Sequence, residues 1–375
     1  MILMKRFFLA VFFVLLLLSS SALAQIDLKH YEIPSAVYAS FSILIHPGMY
    51  LVQNNGRFND GQAPTSVTLW ADGQKTYEKV FNDDADFRLF DIFALDENTL
   101  GYILFKWEGS NLIRQYVQIT ADGDKPLFTL PSDAVSPCLS SDGVYVIRQG
   151  GEQASVCLYD GRGNLQFESP LNAARPTGLG YVPLPDGSLS VLVCESLSIE
   201  DTIASLERIR PDGSSTSVRL AQTDDATPLS GRLFDDGSGM ITFRTSDDSR
   251  YFYDKLVRFD AQGRILWTKA LRADKAIVSA AHMELCGDSI ELYGTAMANS
   301  RKLFTVFKLE IDANGNIVSR DIRDFTTRST YLYDVTLDLQ GNPYAQTLSS
   351  DADHLVAAVP FEDLPVHDDP GLVLE

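Results

Sequence analysis

Cysteine and histidine are scarce in this sequence, which argues against a metal centre or a disulfide framework. Its 375 residues include 4 cysteines and 5 histidines, and the spacing of the cysteines matches no zinc or redox motif. Cys138 and Cys157 are expected on two strands separated by a third, roughly 10 Å apart, whereas a disulfide requires Cα atoms within about 7 Å. We therefore predict that Cys138, Cys157, Cys194 and Cys286 are buried apolar thiols.

Basic residues are outnumbered by acidic ones. The chain contains 31 Lys and Arg but 50 Asp and Glu, which gives a formal net charge of −19. This balance argues against nucleic acid and against anionic membrane surfaces as partners. A solvated acidic surface is the simplest interpretation, and cationic ligands or bound Ca²⁺ are compatible with it.

Long apolar runs are absent except near the N-terminus. Phe7–Leu18 is unbroken and apolar, follows Lys5 and Arg6, and precedes Ala22-Leu23-Ala24. That order is typical of a secretory signal peptide, so we predict a signal peptide over residues 1–24 with cleavage after Ala24. The alternative is an uncleaved membrane anchor, but the run is shorter than the ~20 residues that a membrane span needs. We expect a protein that is secreted or exposed on the exterior of the cell envelope, without membrane insertion after cleavage.

Helical patterns are also nearly absent, and Ser198–Arg208 is the best candidate helix. In their place, the sequence repeats a tight turn about every 25 residues, in two interleaved series. The first series comprises Pro47-Gly48, Glu97-Asn98, Asp142-Gly143, Asp186-Gly187, Asp236-Gly237, Gly287-Asp288 and Gln340-Gly341. The second series comprises Asp72-Gly73, Asp122-Gly123, Arg162-Gly163, Asp212-Gly213, Gln262-Gly263 and Asn314-Gly315. Gly, Asn and Asp tolerate the positive φ that such turns require between antiparallel strands.

Two turns per repeat predict seven four-stranded antiparallel sheets, with strands A, B, C and D in chain order. The first series joins A to B, and the second joins C to D. Runs such as Tyr102–Phe105 and Val144–Ile147 are apolar on both faces, so each sheet must be covered on both sides. A closed ring of sheets meets this requirement. We predict an all-β fold, a seven-bladed β-propeller over residues 25–362, followed by an acidic, Pro-containing tail over residues 363–375.

The last predicted sheet lacks a fourth strand. Ile26–Glu32 alternates apolar and polar residues and precedes the first blade. We therefore predict that an N-terminal strand closes the ring by completing the last blade. The alternative is that Gly371–Leu374 supplies the missing strand.

One repeat resembles a known family. Asp260–Lys269 is similar to the repeat of pyrroloquinoline-quinone-type β-propellers, in which a Gly turn precedes a strand that ends in Trp. Asp312–Val318 is similar but has no Trp. The resemblance implies an exported bacterial propeller and not the quinone itself, because those enzymes carry Trp in most blades. This chain has Trp70, Trp107 and Trp267 only, and no adjacent cysteine pair.

The loops predict which face of the ring is functional. The A–B and C–D turns are uniformly tight, whereas the B–C and D–A connections on the opposite face are longer and irregular. Binding residues favour variable loops on a rigid scaffold, so we assign function to the B–C/D–A face. The candidate ligand-binding residues are Arg88, Asp91, Arg175, Arg232, His282 and Asp334.

Three of these candidates share a position in the repeat. Asp91, His282 and Asp334 precede their A–B turns by similar distances, so they are expected to gather near the mouth of the central channel. A ring of mixed charge at that point suits a polar ligand or an ion. The alternative is that these side chains satisfy neighbouring backbone groups and each other.

A weak metal site is predicted at the carboxylates of Asp83, Asp84 and Asp86, because Ca²⁺ takes several oxygen ligands. Asp312-x-Asn314-x-Asn316 is similar to the start of a calcium loop but lacks its closing Glu, and we interpret it as turn chemistry. Apart from Ca²⁺, no cofactor is predicted. No nucleophile elbow, metalloprotease motif, P-loop or dinucleotide fingerprint is present.

These observations favour a non-enzymatic binding module, monomeric and exported, for a protein or glycan ligand. One alternative is a metal-dependent hydrolase or lyase at the channel mouth, which requires three or more converging His, Asp or Glu side chains. Another is a structural unit of a cell-surface assembly.

Overall fold

The computed structural model describes most of the chain after residue 31. The described residues are 32–33, 39–54, 65–81, 87–96, 99–108, 111–140, 143–150, 152–196, 201–223, 227–246, 252–273, 276–298, 304–325, 330–349, 356–368 and 371–375. They form 29 strands in seven sheets, and a short 3-10 helix at Phe361–Asp363.

The sheets follow one another along the chain and are numbered here as blades one to seven. The first strand, β1 (Glu32–Ile33), belongs to blade seven. Blade one comprises β2 (Ala39–His46), β3 (Met49–Asn54), β4 (Thr65–Ala71) and β5 (Gln74–Phe81). Blade two comprises β6 (Phe87–Asp96), β7 (Thr99–Glu108), β8 (Asn111–Thr120) and β9 (Gly123–Leu130). Blade three comprises β10 (Ala134–Ser140), β11 (Gly143–Arg148), β12 (Ser155–Tyr159) and β13 (Leu165–Pro170).

The remaining blades repeat this order. Blade four comprises β14 (Thr177–Pro183), β15 (Leu189–Ser196), β16 (Thr202–Ile209) and β17 (Ser215–Thr223). Blade five comprises β18 (Thr227–Leu233), β19 (Gly239–Ser246), β20 (Phe252–Phe259) and β21 (Ile265–Arg272). Blade six comprises β22 (Ala276–Cys286), β23 (Ser289–Ala298), β24 (Phe304–Ile311) and β25 (Ile317–Asp324). Blade seven comprises β26 (Thr330–Leu337), β27 (Pro343–Ser349), β28 (Val356–Pro360) and β1.

The predicted all-β, seven-bladed propeller is confirmed. All pairings between neighbouring strands within the blades are antiparallel. The first strand of each blade is called its inner strand, and the inner strands of blades one and two, three and four, four and five, and six and seven contact one another. Every turn glycine of the two predicted series has a positive φ, from 63° at Gly287 to 141° at Gly143. The turn Glu97-Asn98 lies outside the described residues. The turn chemistry therefore sets the repeat, as expected from residues that tolerate this backbone region.

The predicted helix at Ser198–Arg208 is wrong. Its described part lies in β16, which pairs with β15 on one side and β17 on the other. Thr202, Ala204 and Leu206 are buried while the residues between them are partly exposed. This period of two is that of a strand, and the helix-forming residues of the segment are overridden by pairing on both sides.

The core is divided among the spaces between neighbouring blades, which we call seams. Each of the seven seams contains its own cluster of buried apolar side chains. Alternation along a single strand feeds two seams: in β11, Val144 and Val146 pack toward blade two, and Tyr145 and Ile147 pack toward blade four. This explains why the second strands of the blades are apolar on both faces.

The outermost strand of blade seven comes from the N-terminal segment. Glu32 pairs with Ala357 and Ile33 pairs with Val356 in an antiparallel register. Residues 26–31 of the predicted closing strand lie outside the described residues. The alternative, closure by Gly371–Leu374, is wrong: β29 (Val373–Leu374) is a fifth strand on blade five, next to β21.

The segment after residue 362, set apart by its composition as an acidic tail, lies along the outer edges of two blades. Against blade six, the backbone N–H of Asp324 donates to Pro365 O at 2.8 Å, and that of His367 donates to Ile322 O at 2.9 Å. Against blade five, Glu375 and Ala270 exchange two backbone hydrogen bonds. Leu364 and Leu372 are buried in the adjoining seams. The tail therefore connects blades seven, six and five.

The cysteines are free thiols, in agreement with the expectation that Cys138 and Cys157 lie two strands apart. Cys157 is buried, and Cys138 and Cys194 are partly buried. The prediction of burial is wrong for Cys286, which is exposed. Its position explains this, because it ends β22 beside the tight turn at Gly287 and pairs only with Ser289.

Candidate functional site on the inner strands

Each inner strand contains a shift in its register with the second strand of its blade. An extra residue bends and twists a strand locally. The first paired residues after the shift are Phe41, Asp91, Cys138, Gly180, Ser230, His282 and Asp334. Asp91, His282 and Asp334, which the sequence grouped by their distance from a turn, thus occupy equivalent backbone positions in blades two, six and seven.

His282 lies in the seam between blades six and seven. It is paired with Tyr293, whose side chain belongs to the cluster of that seam. Burial lowers the pKa of His282 below its ordinary value, nearby Arg232 lowers it further, and a hydrogen bond with the backbone of Val335 opposes both effects. The imidazole is therefore neutral near pH 7, since its unperturbed pKa is about 6.5.

The cation that acts on His282 is Arg232, and we call Arg232, His282 and Cys138 the inner group. Arg232 lies on β18 of blade five, opposite Met240, and its side chain is exposed. Its charge acts on the pKa of His282 in blade six and on that of the Cys138 thiol in blade three. Arg232 makes no hydrogen bond or ion pair with another described residue. The guanidinium is thus available to an anionic ligand within this part of the structure.

Blade four supports the shifted strand of blade three. Ser136, in the shifted segment, has a positive φ of 50°. The Tyr181 hydroxyl donates to Ser136 O at 2.8 Å, and the Gly178 backbone N–H donates to Ser136 Oγ at 3.0 Å. The Tyr181 ring stacks on Tyr145 with centroids 5.7 Å apart. These contacts hold the backbone beside Cys138 in an otherwise unfavourable conformation.

Burial controls the protonation of two groups in this region. It raises the pKa of Tyr181, and the neighbouring Cys138 raises it further. Burial also raises the pKa of the Cys138 thiol, while Arg232 lowers it in part. Both groups are therefore neutral at physiological pH. Cys138 and Tyr181 were not selected from the sequence; comparing the position before every A–B turn, whatever its residue type, would have identified Cys138.

The other predicted ligand-binding residues are dispersed. Arg88 lies on β6 before the register shift, opposite Phe105. Arg175 is exposed in the connection between blades three and four, where its backbone N–H and that of Ala174 both donate to Glu195 Oε1 at 3.0 Å. The side chains of Arg88, Asp91 and Asp334 lie outside the described residues. The structure thus brings together Arg232 and His282 and places Arg175 elsewhere.

The predicted metal residues Asp83, Asp84 and Asp86 lie outside the described residues. Within the described part of the chain, no three His, Cys, Asp or Glu side chains converge in a way that could hold a metal ion. The calcium-like segment is a turn: Asp312 Oδ1 accepts from the backbone N–H of Asn314 at 2.9 Å and of Asn316 at 2.7 Å. The interpretation of that segment as turn chemistry is confirmed.

No helix within the described ranges is long and apolar enough to traverse a lipid bilayer.

Comparison with known proteins identifies the fold but no family. No protein-family model matches the sequence, and no curated protein matches it. Among solved structures, one from a study of two prolyl endopeptidases is 16% identical, with a TM-score of 0.53 over 92% of this chain and 49% of that one. A puromycin-hydrolysing peptidase from Mycobacterium tuberculosis is 15% identical, with a TM-score of 0.56 over 88% of this chain and 52% of that one.

A third match is the β-propeller domain of the Trilobed protease from Pyrococcus furiosus, 10% identical, with a TM-score of 0.47 over 89% of this chain and 98% of that one. This chain spans about half the length of the first two peptidases. The expectation of a non-enzymatic binding module for a protein or glycan is overturned by the first two matches, because both structures come from peptidases. At such low identity they establish the fold alone.

Proposed function

We propose that this chain is a peptidase-related propeller that selects which peptides reach a hydrolytic site. The observation that carries the proposal is the match of two peptidases to 92% and 88% of this chain. The groups that the inner strands present are suited to binding, so we assign to this propeller the selection of substrates and not the hydrolysis itself. For the prolyl endopeptidases, inter-domain dynamics takes part in catalysis and specificity, and the propeller proposed here contributes to specificity.

The inner strands supply a chemistry for that selection. Arg232 offers a guanidinium that pairs with no described residue, and a guanidinium binds a carboxylate through two parallel hydrogen bonds. The neighbouring His282 is neutral because burial lowers its pKa. Cys138 is neutral because burial raises the pKa of its thiol. Among the described side chains of the inner strands, Arg232 is thus a cation beside the neutral His282 and Cys138, an arrangement that favours peptides with a free C-terminal carboxylate.

The test uses a mixture of short unstructured peptides, each prepared with a free C-terminal carboxylate and with a C-terminal amide. The protein is incubated with the mixture, and retained peptides are identified by mass spectrometry after size separation. We expect carboxylate peptides to be retained in preference to their amides. A folded protein that contains the same sequences should not be retained, because the ring limits access by size.

Two arginine variants separate the inner strands from the rest of the surface. Arg232→Gln should reduce the preference for free carboxylates about tenfold, the effect of losing one charged hydrogen-bonding partner. Arg175→Gln, also exposed but outside the inner group, should leave the preference unchanged. If no peptide is retained, or if the two variants behave alike, the proposal fails.

Two finer expectations join this proposal. We propose export of the protein on the basis of the N-terminal sequence, and a test is the N-terminal residue of the mature chain. The pyrroloquinoline-quinone-type repeat describes the turn and outer strand of blade five, where Asp260 Oδ1 accepts from the backbone N–H of Gln262 and of Arg264 at 2.9 Å each. It supports a common repeat architecture and not a quinone site.

A further inference from the structure

A cavity opens between blades one and two on the side of the tight turns, opposite the loops that were assigned to function. It lies beside Met49, which follows the A–B turn of blade one, and beside Gly123, which follows the C–D turn of blade two. Its volume of ≈ 520 Å³ falls within the range of small-molecule pockets, about 300–1,000 Å³.

One part of the lining is aliphatic. Met49 and Leu69 come from blade one, and Leu100 and Ile119 come from blade two. Leu100 and Ile119 are buried, while Met49 and Leu69 are partly buried and still reachable from the cavity. A ligand that enters must therefore present an apolar body to this wall.

The hydroxyl groups of the lining offer acceptors only. Tyr77 donates its proton to Asp124 Oδ1 at 2.5 Å. Thr76 donates to Leu69 O at 3.2 Å, and Thr120 donates to Gly123 O at 2.6 Å. A hydroxyl has one proton and two lone pairs, so each of these oxygens can still accept a hydrogen bond but has none left to donate.

A carboxylate stands behind Tyr77. Burial acts to raise the pKa of Asp124, but hydrogen bonds from Tyr77, Lys79 and Tyr102 outweigh it and hold the pKa below its ordinary value. Lys79 Nζ lies 2.9 Å from Asp124 Oδ2. Asp124 is therefore ionised at neutral pH and adds negative potential to a rim that already consists of acceptors.

From this arrangement we infer that the cavity binds small primary amines that carry an apolar body. The aliphatic wall takes the body, and the ammonium donates to the lone pairs of the Thr76, Tyr77 and Thr120 hydroxyls. The face of the Tyr77 ring offers a cation–π contact. An alcohol can donate only one hydrogen bond to these acceptors. A carboxylate has no proton to donate and is repelled by the lone pairs and by the negative charge of Asp124.

Lys79 competes with such a ligand. Its ammonium already neutralises part of the Asp124 charge, and its side chain is about half exposed, at 46%. Removing this charge strengthens the field of Asp124 at the rim. The proposal therefore predicts opposite effects for two residues of one ion pair, which a purely structural role of the pair does not predict.

The probes share one body and differ in the head group: 2-phenylethylamine, 2-phenylethanol and 3-phenylpropanoate. Binding to the full chain is measured by titration calorimetry at low and high salt. We expect the amine to bind, the alcohol to bind at least tenfold more weakly, and the carboxylate not to bind. Added salt should weaken the binding of the amine and leave the binding of the alcohol unchanged, because only the amine interacts through charge.

Three variants complete the experiment. Asp124→Asn should weaken binding of the amine about tenfold, because it removes the negative charge behind Tyr77, and Lys79→Met should tighten that binding several-fold. Asp212→Asn is the matched control, because Asp212 is an exposed carboxylate in the C–D turn of blade four, on the same side of the ring. Thermal melting verifies that each variant is folded.

Equal affinities for the amine and the alcohol would overturn the inference, as would no binding of the amine to the unmodified chain. A weaker amine affinity in Lys79→Met would also overturn it. The Lys79 variant keeps the test decisive even if Asp124→Asn fails to fold, because Lys79 is the more exposed member of the pair.

Discussion

Gly315, in the C–D turn of blade six, lies against the indole of Trp267 in the outer strand of blade five. A Cβ at position 315 would stand 3.0 Å from Trp267 Cδ2 and 2.9 Å from Lys269 Cε, and the φ of Gly315 is +80°. We predict that Gly315→Ala destabilises the protein through both the positive φ, about 1–2 kcal/mol, and the contact with a rigid ring. Urea denaturation measures the loss.

Gly213→Ala is the matched control for that substitution. Gly213 has the same kind of φ, +81°, in the C–D turn of blade four, but nothing lies within 4 Å of its Cβ position. Gly213→Ala should therefore lose only the stability that the positive φ costs an alanine. Equal losses in the two variants would show that the contact with Trp267 carries no energy.

Trp267 itself packs between blades five and six. Its side chain is 8% exposed and belongs to the cluster of that seam. Trp267→Ala should cost ~3–5 kcal/mol in the free energy of unfolding. Trp267→Phe should cost less, because the indole N–H finds no acceptor among the described residues and its removal loses no hydrogen bond. An alanine variant with unchanged stability would contradict the packing role.

The carboxylate of Asp254 in blade five is buried and accepts from the backbone N–H of Ala280 in blade six at 2.6 Å. Arg244 Nε lies 3.5 Å from Asp254 Oδ1 and makes no hydrogen bond with that oxygen. Burial raises the pKa of Asp254, only partly offset by Ala280 and Arg244. A carboxyl group whose pKa is raised on folding stabilises the fold at pH values below its pKa in the unfolded chain, which is about 3.9. This contribution is lost as the pH rises through the pKa that the group has in the folded protein.

Asp254→Asn should therefore gain stability relative to the unmodified protein as pH rises from acid to neutral. The amide oxygen still accepts from Ala280, while the buried charge is gone. The measurement is the difference in the free energy of unfolding between variant and unmodified protein over that pH range. Taking the difference cancels the contribution of the turn aspartates, such as Asp312. Hydrogen bonds lower the pKa of Asp312, so its effect on stability changes with pH in the opposite sense. A difference that is independent of pH would refute the assignment.

The tail that connects blades seven, six and five should contribute strongly to stability. Leu372 is fully buried in the seam between blades five and six, so Leu372→Ala should cost ~2–5 kcal/mol. Val366 in the same tail is 76% exposed, so Val366→Ala should change stability by no more than about 0.5 kcal/mol. Thermal and urea unfolding compare the two. A small effect of the Leu372 substitution would show that the tail is detachable.

Closure by the N-terminal segment remains a prediction that truncation can test. A variant that begins at Ala36 lacks Glu32 and Ile33, which pair with β28. It should lose several kcal/mol, because a strand contributes both apolar area and backbone hydrogen bonds. A variant that begins at Ile26 is the control. If both melt at the temperature of the full chain, the N-terminal strand does not contribute to closing the ring.

The repeat could be predicted from the sequence because each turn obeys a local rule. Gly187, Gly213 and Gly237 all need a positive φ, and that need is visible in the residue type alone. The register shifts of the inner strands follow no such rule. Cys138, Ser230 and His282 hold the same position with unrelated side chains, because the extra residue is fixed by pairing with the second strand and not by local chemistry.

The candidate sites depend on contacts across blades, which a linear reading does not provide. Arg232 acts on His282 and on Cys138, residues that are separated from it by 50 and 94 positions in the chain (282 − 232 and 232 − 138). Tyr77 reaches Asp124 across the seam between blades one and two. The docking of the tail was missed for a related reason: its acidic composition conceals single apolar residues such as Leu372, which the fold buries.

Because the core consists of separate seams, the mechanical strength of the ring is that of its weakest joint. Between blades seven and one, six described side chains form one such cluster. Those six are Leu44, Tyr50, Val52, Trp70, Tyr344 and Ala358. Each seam is thus a joint that can open on its own, because its cluster shares no side chain with the next one, while the strand pairing inside every blade stays intact.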